Sequence, residues 1–191
     1  MANFLTNNYP NLSPNDTNAI LAQYATPTNK PPPPLPNHAP WYPTASKAYG
    51  EATFVCPNNN VLNLLRTRRR FSYRYNVHDE GNTESGIGVP HLFEAAAVFG
   101  PDNIGHASPS YKTYNAPIVP VVMSYFISFV RALDPNVYRA KGKESPKWHP
   151  WDESGMERIV LETGRSRMER TPVDERVRCR FWLELGEVLE Q

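Results

Sequence analysis

Proline decides where this chain is free to form regular structure. Each proline fixes φ and removes a backbone donor. The chain carries twenty in 191 residues, about twice the usual share of ~5%. Ten of them fall within residues 1–43. The run Lys30-Pro31-Pro32-Pro33-Pro34-Leu35-Pro36 is extended polyproline II, so residues 25–43 are expected to be a connection. Its Pro31/Pro34 spacing fits aromatic-groove ligands, but a stiff surface connection is the plainer reading.

The rest of the chain alternates helical and strand patterns. Residues 1–24 predict one short helix started by Ser13-Pro14-Asn15-Asp16, with Ile20, Leu21 and Tyr24 on its apolar face. Residues 44–66 read as a helix that Pro57 should kink or split. Phe71-Ser72-Tyr73-Arg74-Tyr75-Asn76-Val77 alternates like a half-buried strand. Residues 78–90 and 102–116 read as loops, with a short helix between His91 and Gly100. Pro117 opens the strongest helix, with Val119, Val122, Phe126, Phe129, Val130 and Leu133 at core spacing. A strand is expected at residues 158–162. A final helix at 173–190 should bury Val177, Phe181, Trp182, Leu185 and Leu189 on one side. Strands separated by helices imply an α/β layered sheet. Two or three strands are few for a sheet that stands alone.

Composition excludes several classes of function. Twenty basic residues against nineteen acidic ones give no general attraction to nucleic acid. Residues 66–70, Arg-Thr-Arg-Arg-Arg, read as the solvated end of a helix. No apolar run of 18 residues exists, so no membrane span is expected. Met1-Ala2-Asn3-Phe4-Leu5-Thr6 has no basic segment and no long apolar stretch, unlike a signal peptide. Cys56 and Cys179 lack metal-ligand spacing, and spacing alone leaves open whether they pair. No cofactor or metal motif is present. Asn15-Asp16-Thr17 is a good glycosylation triplet, whereas Asn11-Leu12-Ser13 is weakened by Pro14.

One segment carries candidate chemistry. Gly88-Val89-Pro90-His91-Leu92-Phe93-Glu94 places an imidazole just after a punctuated loop, with an apolar helix behind it. Histidine titrates near working pH and is the usual base for activating a hydroxyl nucleophile. No serine lies in a G-x-S-x-G frame; Ser85 and Ser154 both lack the first and last glycines. His38, His78, His106 and His149 show no ligand spacing.

Five segments, in order, resemble the type-B carboxylesterases, the cholinesterase/lipase family of α/β-hydrolases, and most of all its fungal members. They are Tyr49-Gly50-Glu51-Ala52-Thr53-Phe54-Val55-Cys56-Pro57, Tyr73-Arg74-Tyr75, the histidine segment through Val98-Phe99-Gly100, residues 146–151, and Cys179-Arg180-Phe181-Trp182. The resemblance covers nearly all of residues 1–191 and implies the C-terminal portion of such a domain, with an incomplete α/β-hydrolase sheet. It implies that His91 is the triad histidine, that Cys56 and Cys179 form a family disulfide, and that Glu94 is structural. The nucleophilic serine, the triad acid and the oxyanion glycines would precede this segment. The chain is therefore expected to be a serine-esterase part that is inactive alone, acting on ester or lipid-like substrates once completed. The family is typically secreted. The competing expectation is a truncated, non-catalytic product or a proline-rich interaction module.

Overall fold

The computed structural model describes residues 1–24, 35, 38–66, 68–152 and 155–189. Most of the proline-rich run, including Pro31 and Pro34, lies outside the described residues. The chain divides into two compact units, one formed by Met1–Thr67 with Pro172–Gln191 and the other by Arg68–Thr171.

The first unit is helical. Its amino-terminal part holds two helices, α1 (Ala2–Asn8) and α2 (Pro14–Gln23), where one was expected. The start of α2 is as predicted. Ser13 accepts from the Asp16 amide, Asp16 accepts from the Ser13 amide, and Pro14 occupies the first turn. Pro57 does not split the next helix. α3 (Tyr42–Gly50) runs into a wider turn at Glu51–Val55 and on into α4 (Cys56–Leu64). Just before Pro57, the Cys56 amide reaches back five residues to the Glu51 carbonyl, the π pattern.

Two carboxy-terminal helices complete this unit, α8 (Val173–Glu184) and α9 (Gly186–Leu189). Cys56 is disulfide-bonded to Cys179 across 123 residues of sequence. Leu5, Ile20, Ala48, Ala52 and Trp182 pack around that bond. Val177, expected inside, is 56% exposed, while Arg178 is buried. The reason is a buried carboxylate. Arg178 grips Glu51 with two hydrogen bonds of 2.6 and 2.8 Å. Tyr24 donates to the same carboxylate, and Trp182 Nε1 donates to Tyr24.

The second unit holds the sheet. β1 (Tyr73–Tyr75) runs parallel to β2 (Glu157–Leu161), which pairs antiparallel with β3 (Arg167–Arg170). Ile159, Val160 and Leu161 are fully buried, as expected of a central strand covered on both faces. Tyr73 lies opposite Ile159, and Tyr75 opposite Leu161. The strand is shorter than the expected 71–77, and its burial does not alternate as expected, since Ser72 is buried and Tyr73 is exposed. Phe71 and Tyr73 pack against Phe129, Phe126 and Trp148, while Arg74 turns to Glu169.

Between β1 and β2 lie α5 (Glu80–Glu84), α6 (Ala95–Phe99), a 3₁₀ turn at Pro109–Lys112 and α7 (Ile118–Ala132). α7 buries Ile118, Val121, Val122, Tyr125 and Ser128. Val130 and Leu133, expected in the core, are 79% and 72% exposed. Val122 is buried and Val119 and Phe126 pack on the core as expected, so the miss is confined to the end of the helix. Its end is fixed by the buried Ser128, whose hydroxyl donates to the Asp134 carbonyl and accepts from the Tyr138 amide.

Candidate active site

The histidine segment is a built loop within the second unit. α5 is capped by Asp79, which accepts from the Asn82 amide. Asp79 also accepts from Ser108, and that bond holds its carboxyl below the usual range. Gly86 and Gly88 follow with left-handed φ values of 79° and 72°, and the Gly88 amide donates back to Asn82. The chain then turns tightly through His91, with Phe93 N–H donating to Pro90 and Ala95 N–H to Leu92. α6 starts immediately and stops at Gly100, φ 91°. His91 is exposed, and Glu94 is half-buried.

Leu92, next to His91, has φ 64°. A branched residue in the left-handed region costs about 1 kcal/mol and persists only where its surroundings impose it. Here they do so through tyrosines. Tyr111, 2% exposed, donates to the Phe93 carbonyl at 2.7 Å. A phenol has a single proton, so the 2.8 Å contact with Tyr75 is a bond from Tyr75 to Tyr111. The negative charge of Glu94 also acts on Tyr73. Burial, reinforced by the negative charge of Glu94, pushes all three phenols above their ordinary range. They therefore remain donors at any working pH. Tyr111 from the 3₁₀ turn, backed by Tyr75 of β1, holds the residue that follows Leu92.

None of the three tyrosines stood out in the sequence as part of the site. Ser108-Pro109-Ser110-Tyr111 carries the local signal for a capped turn, since Ser108 accepts from the Ser110 amide, but nothing in it points to residue 93. Tyr73 also lines an apolar recess with Phe71, Phe126, Phe129 and Trp148. A histidine–carboxylate pair occurs elsewhere in this unit, between His149 and Glu157 at 2.9 Å, and both side chains are solvent-exposed. Ser85 donates to the Asn82 carbonyl; Ser154 lies outside the described residues. Among the described residues, no three His, Cys, Asp or Glu side chains are grouped to hold a metal ion, and no helix is long and apolar enough to cross a membrane.

The sequence profile of the carboxylesterase family matches residues 3–182. The chain belongs to the carboxylesterase family. Among solved structures, the crystal structure of Aspergillus niger EstA superposes on the whole chain with a TM-score of 0.90 and 42% identity, over 36% of its own length. Secreted lipase 4 of Gibberella zeae is 22% identical over 182 residues, which is 94% of this chain and 31% of that protein. The chain thus spans about a third of the length of these carboxylesterase relatives. The type-B, fungal-like resemblance seen in the sequence holds, and so does the fold class. The small mixed sheet flanked by helices is part of an α/β-hydrolase fold.

Proposed function

We propose that His91 is the general base of a carboxylic-ester hydrolase. The nucleophilic serine, the orienting carboxylate and the oxyanion donors come from esterase polypeptide beyond these 191 residues. His91 takes the serine proton as the oxygen attacks the ester carbonyl, then gives it to the departing alkoxide. The same imidazole next takes a proton from the water that attacks the acyl-enzyme and passes it to the serine oxygen as the acyl–oxygen bond breaks, releasing the acid. The observation that supports this reading is the loop itself, an exposed imidazole beside a strained residue, with the backbone after it clamped by tyrosines. Substrates are ester or lipid-like small molecules, in keeping with the lipase relative. That relative's secretion and the Cys56–Cys179 bond favour an oxidising, extracytoplasmic setting.

The 191 residues alone are inactive, because a base without a nucleophile or oxyanion hole lacks the larger share of barrier lowering. A fluorophosphonate probe tests this. The isolated chain stays unlabelled, and labelling of a serine appears when the remaining esterase polypeptide is supplied. Labelling of the isolated chain contradicts the assignment of the nucleophile to the missing part. Undiminished labelling and turnover in a supplemented His91→Ala chain contradict the role of His91.

A further inference from the structure

We infer that Asn15 carries an N-linked oligosaccharide. The chain has two Asn-x-Ser/Thr triplets, at Asn11 and Asn15. Their hydroxyl residues have opposite fates in the fold. Ser13 works as the cap of α2, bonded to Asp16 through both its amide and its hydroxyl. Thr17 is 6% exposed, and its Oγ1 is buried without a hydrogen-bond partner.

A buried, unsatisfied hydroxyl destabilises a fold relative to an apolar group of the same shape. The native state gains nothing from this oxygen, and valine would fill the same space. Oligosaccharide transfer does require it, because the acceptor triplet is defined by a hydroxyl two residues after the asparagine. Transfer takes place on the extended, unfolded chain, before α2 forms and hides Thr17. The fold tolerates the product. Asn15 is exposed on the second residue of α2, and Asn18, Ala19, Ala22 and Gln23 continue an exposed stripe without charge. Helix capping is already met by Ser13 and Asp16, so the Asn15 amide is free to be modified. At the other triplet, Pro14 follows the hydroxyl residue directly. The disulfide lies in the same unit, which fits the oxidising compartment where the transferase acts.

The inference rests on the secretory setting proposed above and is independent of His91. It is tested by translating the chain behind a cleavable secretory leader with endoplasmic-reticulum microsomes. The leader forces entry, so the outcome reports on the acceptor and not on the natural route. One endoglycosidase-sensitive shift is expected, lost in Asn15→Gln and in Thr17→Val and kept in Ser13→Ala. An unshifted parent chain, or a shift that survives Asn15→Gln, overturns the assignment. Unglycosylated Thr17→Val is expected to melt at or above the parent chain. A clearly lower midpoint makes the hydroxyl structural and overturns the argument from its burial.

Discussion

The two units solve the same problem, a carboxylate held among packed side chains, in different ways. In the helical unit, Glu51 is buried and answered by Arg178 in a bidentate pair, with Tyr24 and Trp182 behind it. In the sheet unit, Glu94 is half-buried, its charge acts on Tyr73, Tyr75 and Tyr111, and no ion pair to it occurs among the described residues. The first arrangement neutralises charge and braces a helix pair. The second keeps a negative charge close in sequence to an exposed histidine. Left-handed backbone follows the same division. Every left-handed residue among those described, including Leu92 and Gly88, lies in the sheet unit. Leu92 and the half-buried Glu94 lie beside the proposed base, while a covalent bond and a buried ion pair secure the helical unit.

Cutting the disulfide is the severest way to test that division. Closing a loop across 123 residues contributes about 5 kcal/mol in the chain-entropy model. Cys56→Ser with Cys179→Ser should lower the stability of the helical unit by up to that amount, read as lost amide-exchange protection in α3, α4 and α8. Equal loss in β2 and α7 erases the distinction between the units.

Next comes the ion pair. Arg178→Met leaves Glu51 buried and unpaired, at about 3–5 kcal/mol. Adding Glu51→Gln should restore much of that in denaturant melts. If the single variant is as stable as the parent chain, the bracing role of the pair is wrong.

Acid should act on the sheet unit through Glu169. Burial alone would raise this carboxyl, but hydrogen bonds from Arg74 and Arg158, and their charges, outweigh it and hold the group at about 2. A carboxyl lowered by folding stabilises above its unfolded value, near 4.5, and that stability fades as pH falls towards 2. A loss of about 2 kcal/mol is expected over that window. Glu169→Gln should flatten the dependence; an unchanged acid limb contradicts it.

The smallest effect is the most local. Tyr111→Phe removes the bond to the Phe93 carbonyl, at about 1 kcal/mol, and should speed amide exchange at residues 92–95 more than in β2. Uniform exchange changes sever the clamp from the histidine loop.

How much of this was legible depended on whether the signal was local. Gly88, Pro90 and Gly100 punctuate the histidine segment, so its loop-then-helix form could be read directly. Ser13, Pro14 and Asp16 announced the start of α2 in the same way. The disulfide came only through the family resemblance, since spacing alone left the pairing open. β3 escaped notice because Arg167-Met168-Glu169-Arg170 looks like surface. It is a strand because β2 supplies hydrogen bonds and Arg74 and Arg158 neutralise Glu169. The expected stripe of α7 holds at Val119, Val122 and Phe126 and fails towards the end of the helix, at Phe129, Val130 and Leu133. Tyr111 was invisible for another reason: its partner lies 18 residues back in the chain, and no periodicity links them.

The central claim is that His91 moves the proton. Its most direct test is steady-state hydrolysis of a p-nitrophenyl ester by the chain supplied with the remaining esterase polypeptide. His91→Ala should lower kcat by at least about a thousandfold, while fold and disulfide stay intact by circular dichroism and thiol titration. A variant that keeps kcat within a few-fold of the parent shows that another group is the base.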